Sequence, residues 1–378
     1  MNTQINANAA DSVAAAAAIG SSANLACLSR EEVMSLSAQE RLNWFASLRF
    51  EHRNLRTVIR HLHELMDPHN DVKLIMLIGP TGIGKTSLVD KCLRTIVQRY
   101  APVRLPHEVP VAFISAPANG ERSLSWKVVY SRLHHACGGL LPDQQRSHAP
   151  LDGELRALHA SRIGVAQRRE LLEAEIRNRN VRLLGIDESH HLLRFGQTEA
   201  MMDTLKSMAD IQPETKLMLV GTYQIAPLMT TYGQLARRGA ILHYKRYHLS
   251  SAPKDDAPTA DEAEFRKVLA KFEAHWPCED VPNLSAAWRD LMMASLGSVG
   301  LLKTQLQQAA QLQTHSKGEK FNSKDVQRAF KANKMLNQIE IEISEGEQAL
   351  RDACYGDAEF VSGEGQQAWL AKLEKRRA

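Results

Sequence analysis

Between residues 74 and 78 the chain reads Leu-Ile-Met-Leu-Ile without a polar interruption and then meets Gly79. A short, wholly apolar run that ends in glycine predicts a strand covered on both faces, as in a parallel sheet. Further strands are predicted at Val111–Ser115, Val181–Ile186 and Leu217–Val220, with a fifth candidate at Ile241–Leu249. Helical spacing fills the intervals, from about Thr86 to Tyr100 and over a long charged stretch from about Leu151 to Arg179. Strands alternating with helices predict an α/β fold built on a parallel sheet flanked by helices.

Outside this region the pattern is helical. Ser37 and Glu40 form a capping-box pattern ahead of Leu42, Phe45 and Leu48. Leu55, Val58, Ile59, Leu62, Leu65 and Met66 continue the helical spacing until Asp67-Pro68. The cluster from Ser250 to Thr259, rich in Pro, Ser and Asp, marks a domain boundary. The expected organisation is a disordered tail over residues 1–30, a helical segment over 31–70, and an α/β core over 71–250. A helical domain follows over 260–333, and a glycine-containing tail over 334–378 with a short helix near Trp369. There is no internal repeat.

Composition narrows the classes. The 378 residues are 44% hydrophobic and 24% charged, enough apolar material for two cored domains. A net charge of +4 excludes a histone-like polycation while permitting a local basic surface. Cys27, Cys92, Cys137, Cys278 and Cys354 are scattered without a CxxC pair, which argues against a disulfide framework and for a reducing cytoplasm. No apolar run approaches the roughly 18 residues that cross a bilayer, so no membrane association is expected. The Ala-rich N-terminus lacks the leading positive charge of a secretory signal.

The sharpest chemical signal is Gly79-Pro80-Thr81-Gly82-Ile83-Gly84-Lys85-Thr86, followed by Ser87. It fits GxxxxGK[ST] between a predicted buried strand and a predicted helix. Glycines let backbone amides wrap a phosphate, Lys85 supplies countercharge, and the Thr86 hydroxyl is suited to Mg²⁺. Leu183-Leu-Gly-Ile-Asp187-Glu188 places two carboxylates at the end of another buried strand. Asp187 is expected at the metal, and Glu188 at the attacking water. ATP and Mg²⁺ are thus the expected cofactors. Thr222, just past the next strand, is a candidate contact to the γ-phosphate or water. Arg237 and Arg238 are candidates for an arginine finger that reaches a neighbouring subunit.

The order GPTGIGKT, LLGIDE, LVGT and LARRG resembles the AAA+ ATPases that regulate DNA transposition, of the TnsC/TniB/MuB kind. The resemblance extends from about Phe50 to Ala332 and includes Gly297-Ser-Val-Gly300 before Leu301–Ala310, which looks like a glycine-initiated lid helix. It implies an AAA+ P-loop core with a smaller C-terminal helical lid over 260–333; the tail over 334–378, beyond the resemblance, is expected to bind a partner. The resemblance further implies a ring or filament of copies that encloses double-stranded DNA, marks target DNA and recruits a transposase together with a target-selector protein. The segment after the second strand would line the DNA, with Arg122 and Lys127 on phosphates, and the stretch around Arg162, Arg168 and Arg169 as the next candidate. The lid departs from the family in lacking an arginine at its helix start, where Lys303 is the nearest base.

Competing readings remain. A protein-directed ATPase of the secretion-associated type shares the phosphate-binding core, and so does a replication initiator or helicase loader. Asp187-Glu-Ser-His190 spells a helicase DExH box, but the second RecA-like domain that helicases need has no counterpart after Pro258. His134-His135 with Cys137, and His190-His191, lack partners at zinc-ligand spacing.

Overall fold

A computed structural model describes residues 28–117, 125–139, 147–151, 154–158, 164–195, 198–226, 228, 238–250, 258–316, 319–330 and 333–355. The chain divides into two compact units. One comprises residues 57–245 together with 341–378, and the other residues 1–56 together with 246–340.

The first unit is built on a five-stranded parallel sheet: β1 (Leu74–Ile78), β2 (Val111–Ser115), β5 (Leu183–Asp187), β6 (Lys216–Gly221) and β7 (Gly239–His243), in the order β2-β5-β6-β1-β7. The sequence pattern tracks this order. Every residue of β1 and β6 is buried, because those strands have neighbours on both edges and helices on both faces. The edge strands β2 and β7 keep partly exposed positions. The helix Lys85–Tyr100 follows β1 and buries Leu88, Val89, Cys92 and Ile96, one stripe at three- and four-residue spacing.

The fifth strand is shorter than expected, ending at His243 rather than Leu249, and two further stretches differ in kind. The long helix predicted from about Leu151 is instead an antiparallel hairpin, β3 (Ser147–Leu151) with β4 (Glu154–Leu158), followed by a helix only over Val165–Asn178. In the sequence Asp152-Gly153 is a favoured hairpin pair, a signal that the high charge density of the stretch masks. The expected tail after 334 is a 23-residue helix, Asn333–Tyr355. Its buried positions Ile343, Gly346, Glu347 and Leu350 lie on one stripe, so the glycine that suggested a tail marks a close contact.

The second unit is helical. Its core joins Trp44, Phe45 and Leu48 to Phe265, Leu269, Phe272, Trp276, Leu302 and Leu306. Phe45 meets Phe272 and Trp276 edge-on, at centroid distances of 5.9 and 5.4 Å. Capping boxes at Ser29/Glu32, Ser37/Glu40 and Thr259/Glu262 start three of the helices by satisfying their free amides. The helix Val299–Thr314 starts at Ser298, after Gly297 in a left-handed conformation (φ +69°). A Cβ at Gly297 would fall 1.8 Å from the Tyr247 carbonyl oxygen, so only glycine allows the backbones to meet there.

Candidate functional site

The apolar run of β1 ends at Gly79, where the backbone following β7 crowds in. A Cβ at Gly79 would lie 2.8 Å from the Tyr244 carbonyl oxygen. Gly82 and Gly84 then take positive φ values of 77° and 102°, and Gly84 is the N-cap of the helix Lys85–Tyr100. Ile83 is buried and anchors the loop, while Thr81, Gly82, Thr86 and Ser87 face outward. The loop therefore presents the first helical amides, which have no intrahelical partner, to an external anion.

Lys85 turns back over this loop. Its Nζ donates to the carbonyl oxygens of Gly79 and Pro80, each at 2.8 Å. Burial lowers its pKa to about 8, against a smaller opposing effect from the Asp187 carboxylate. A largely buried ammonium resting on two neutral carbonyls is short of countercharge, and polyphosphate oxygens would supply it.

Asp187 closes β5. Its Oδ2 accepts from Thr86 Oγ1 at 3.4 Å, and its Oδ1 accepts from the Glu188 amide at 2.8 Å. A hydroxyl and a carboxylate side by side are hard oxygen donors of the kind Mg²⁺ takes. Glu188 has a left-handed φ of 51°, uncommon for a residue with a side chain, which turns the chain sharply out of the strand. Ser115, opposite Asp187 in the β2/β5 register, donates its hydroxyl to Glu188 Oε2 at 3.3 Å. His191 Nε2 lies 3.9 Å from the same oxygen. Sequence reading missed Ser115; its position at the end of a strand was the available signal, but the strand order that pairs it with β5 was not.

Thr222 follows β6, whose last residue Gly221 pairs with Ile78 just before the phosphate loop. Its Oγ1 is buried without a hydrogen-bond partner, an orphan donor at the same edge of the sheet as the loop. The strand ends thus bring together the loop, Asp187, Glu188 and Thr222.

Other candidates lie elsewhere. Arg238 stands at the opposite edge of the sheet, where its carbonyl accepts from Lys73 ahead of β1, and its guanidinium pairs with Asp210 at 3.5 Å. Lys127 is exposed in the first turn of the helix Trp126–Ala136. Arg122, Arg162 and Arg237 are outside the described residues. Of the next basic candidates, the two described arginines both have partners. Arg168 is buried and donates to Ser131 Oγ at 2.7 Å, and Arg169 donates to Glu173 at 2.6 Å while lying over the Tyr130 ring. In the helical unit, Lys303 donates to the Ala46 and Leu48 carbonyls at 2.7 and 2.5 Å, with burial lowering its pKa to about 7. Its ammonium is committed to closing the helix Ala38–Ser47. Among the described residues there is no cluster of three metal-ligating side chains and no helix able to cross a membrane.

Residues 69–229 match the model of the AAA domain family. The sheet order and the phosphate loop at the end of its β1 are those of the AAA+ P-loop NTPase fold. Among solved structures, the chain is similar to Aeropyrum pernix ORC1 in complex with DNA, at 16% identity and a TM-score of 0.50, covering 74% of this chain. It is also similar to Aeropyrum pernix ORC2 in ADPNP and ADP complexes (16%, TM-score 0.45, covering 73%). A third, Cdc6p from Pyrobaculum aerophilum, aligns over 87% of this chain and 86% of its own, at 11% identity and a TM-score of 0.48. The chain spans 65% of the ORC1 chain and 66% of the ORC2 chain. No curated protein matches it.

Proposed function

We propose that this protein is a cytoplasmic ATPase that binds duplex DNA in its ATP form, assembles there with further copies of itself, and regulates DNA transposition. The observation that carries the reading is that the Lys85 ammonium, the Thr86 hydroxyl and the Asp187 carboxylate meet at an exposed glycine loop that opens a helix, with Glu188 next in the chain. When bound, ATP supplies the anhydride bond to be cleaved and Mg²⁺ neutralises charge on its outer phosphates. Lys85 holds the phosphates, Thr86 and Asp187 hold the metal, and the Glu188 carboxylate orients water and draws on its proton. The Thr222 hydroxyl donates to the γ-phosphate or to that water. Arg237 and Arg238 complete the site of a neighbouring copy.

The DNA half rests on the family resemblance and agrees with the description of the ORC1 relative as a DNA complex. Arg122 and Lys127 are the proposed phosphate contacts, and the transposase and target selector the proposed protein partners. The DNA complex of the ORC1 relative also favours a second reading, a replication initiator, which differs in what it recruits.

Retention of the purified protein on nonspecific duplex DNA, with ATP, ADP or no nucleotide, tests the common part. Binding only with ATP is expected, with Glu188→Gln retained longest. The Arg122→Ala/Lys127→Ala variant should lower the slope of log affinity against log salt by about 0.9 for each phosphate that is no longer neutralised. Indifference to DNA in every nucleotide state would instead favour a protein-directed ATPase. Capture of a cognate transposase rather than a replicative helicase by the DNA-bound form separates the two DNA readings.

A further inference from the structure

The helix Asn333–Tyr355 sets a buried carboxylate against the edge of the sheet that carries the phosphate loop. Glu347 is only 6% exposed. Its Oε1 accepts from the Tyr223 hydroxyl at 3.5 Å, and the same hydroxyl lies 3.0 Å from His243 Nε2. The Tyr223 hydroxyl thus links the His243 imidazole to the Glu347 carboxylate. The link is backed by an edge-on contact of the Tyr223 and His243 rings, 5.6 Å between centroids.

The position of this link gives it consequence. Tyr223 directly follows Thr222, whose hydroxyl is buried without a hydrogen-bond partner one residue past the Gly221–Ile78 pair that precedes the phosphate loop. His243 is the last residue of β7, in register with Ile78. The next residue, Tyr244, donates its amide to the Ile78 carbonyl and crowds Gly79. One network therefore spans the ends of β6 and β7, the two strands flanking the strand that feeds the phosphate loop. The helix is seated on it closely: a Cβ at Gly346 would lie 2.3 Å from the Tyr223 ring. Ile343 and Leu350 flank this contact on the same buried stripe.

We propose that Glu347 is a positioning residue of the nucleotide site, acting through Tyr223 and His243 to hold Thr222 and Gly79 in place, and that the helix carrying it is part of the hydrolytic machinery. The proposal rests on the ATPase reading above. A buried carboxylate is costly unless hydrogen-bonded, and Tyr223 provides a bond at the point where the sheet edge must be rigid. Small displacements of a positioning group lower turnover far more than binding, because the geometry matters most in the transition state.

The test compares Glu347→Ala, Glu347→Gln, Tyr223→Phe and wild type as full chains. Steady-state ATPase is measured beside equilibrium binding of a fluorescent ATP analogue and thermal unfolding. Glu347→Ala and Tyr223→Phe are expected to lower kcat about tenfold, with ATP affinity within about threefold of wild type. Glu347→Gln keeps an acceptor oxygen and should recover most of the turnover. Tyr223→Phe retains the ring against Gly346, so it reads the hydrogen bonds even if Glu347→Ala unfolds. Unchanged kcat in Tyr223→Phe would overturn the proposal. So would equal losses of kcat and nucleotide affinity, or a Glu347→Gln variant as slow as Glu347→Ala, because either would mark a scaffold role alone. A wild-type protein that binds no ATP would overturn the ATPase reading itself. That result is distinguished from the others by appearing before any substitution is made.

Discussion

The Thr86 hydroxyl and the Asp187 carboxylate meet at 3.4 Å, although 101 residues separate them in the chain. Their strands are not neighbours, for β6 lies between β1 and β5, and only the loops beyond the strand ends bridge the gap. Neither oxygen alone makes a metal site, whereas the pair supplies two hard ligands at the edge of the phosphate loop. Asp187→Asn should therefore raise the Mg²⁺ concentration needed for half-maximal ATPase by about tenfold or more. Metal-free nucleotide binding should change little. A magnesium titration of ATPase, run beside nucleotide binding in EDTA, checks both halves.

Lys85 predicts a pH dependence with a definite sign. Burial lowers the pKa of the free protein's ammonium to about 8, and bound phosphates must raise it, because they favour the charged form. ATP affinity should be flat below pH 8 and fall as pH rises above it, by up to about tenfold per pH unit. Binding near pH 8.5 should take up a proton, seen in calorimetry as a heat that depends on the buffer. Stability of the nucleotide-free protein has the opposite slope. The unfolded chain holds the Lys85 proton up to about pH 10.5, so this residue's contribution becomes more favourable between pH 8 and 10.5. Lys85→Ala should remove the proton uptake along with most of the ATP affinity.

Arg238 cannot serve its own chain's phosphate loop. It precedes Gly239, which pairs with Leu74 at the start of β1, while the loop follows Ile78 at the other end. At roughly 3.3 Å per residue, the length of β1 puts about 13 Å of strand between them. Any finger role is therefore in trans. Mixing Arg237→Ala/Arg238→Ala protein with Lys85→Ala protein should restore ATPase above either parent, because one shared interface then has an intact loop and an intact arginine. Asp210→Ala, which frees Arg238 from its ion pair, should leave this complementation in place. An inactive mixture of two assembling variants would assign the finger to another residue.

Lys303 yields a contrast between folding and chemistry. Its two bonds to the Ala46 and Leu48 carbonyls close the helix Ala38–Ser47 within the helical unit. Lys303→Ala should lower unfolding stability by roughly 0.5–1.5 kcal/mol, the range for a net hydrogen bond, because burial offsets the benefit of the charge. ATPase below the unfolding transition should be unchanged. A large loss of kcat without a loss of thermal stability would identify Lys303 as a nucleotide sensor instead.

Local chemistry made much of this protein legible from the chain alone. The apolar runs of β1, β5 and β6 announce strands covered on both faces, since no other short element buries every consecutive side chain. GPTGIGKT needs only its own backbone and the adjoining helix to make a phosphate cradle, so its chemistry is local too. Tertiary structure decided what depends on which surfaces meet. Periodicity shows that Trp44 and Phe45 have an inward face, but not that Phe272 and Trp276, more than 200 residues later, cover it. It shows a polar Ser115, but not the β2/β5 pairing that sets its hydroxyl against Glu188. Gly346 and Glu347 read as tail punctuation in a polar stretch. Their meaning arises only where a ring from β6's end fills the space a side chain would take and gives the buried carboxylate its hydrogen bond. Backbone preference and burial pattern are properties of a segment, whereas a contact needs two segments, and chain connectivity alone does not choose the second.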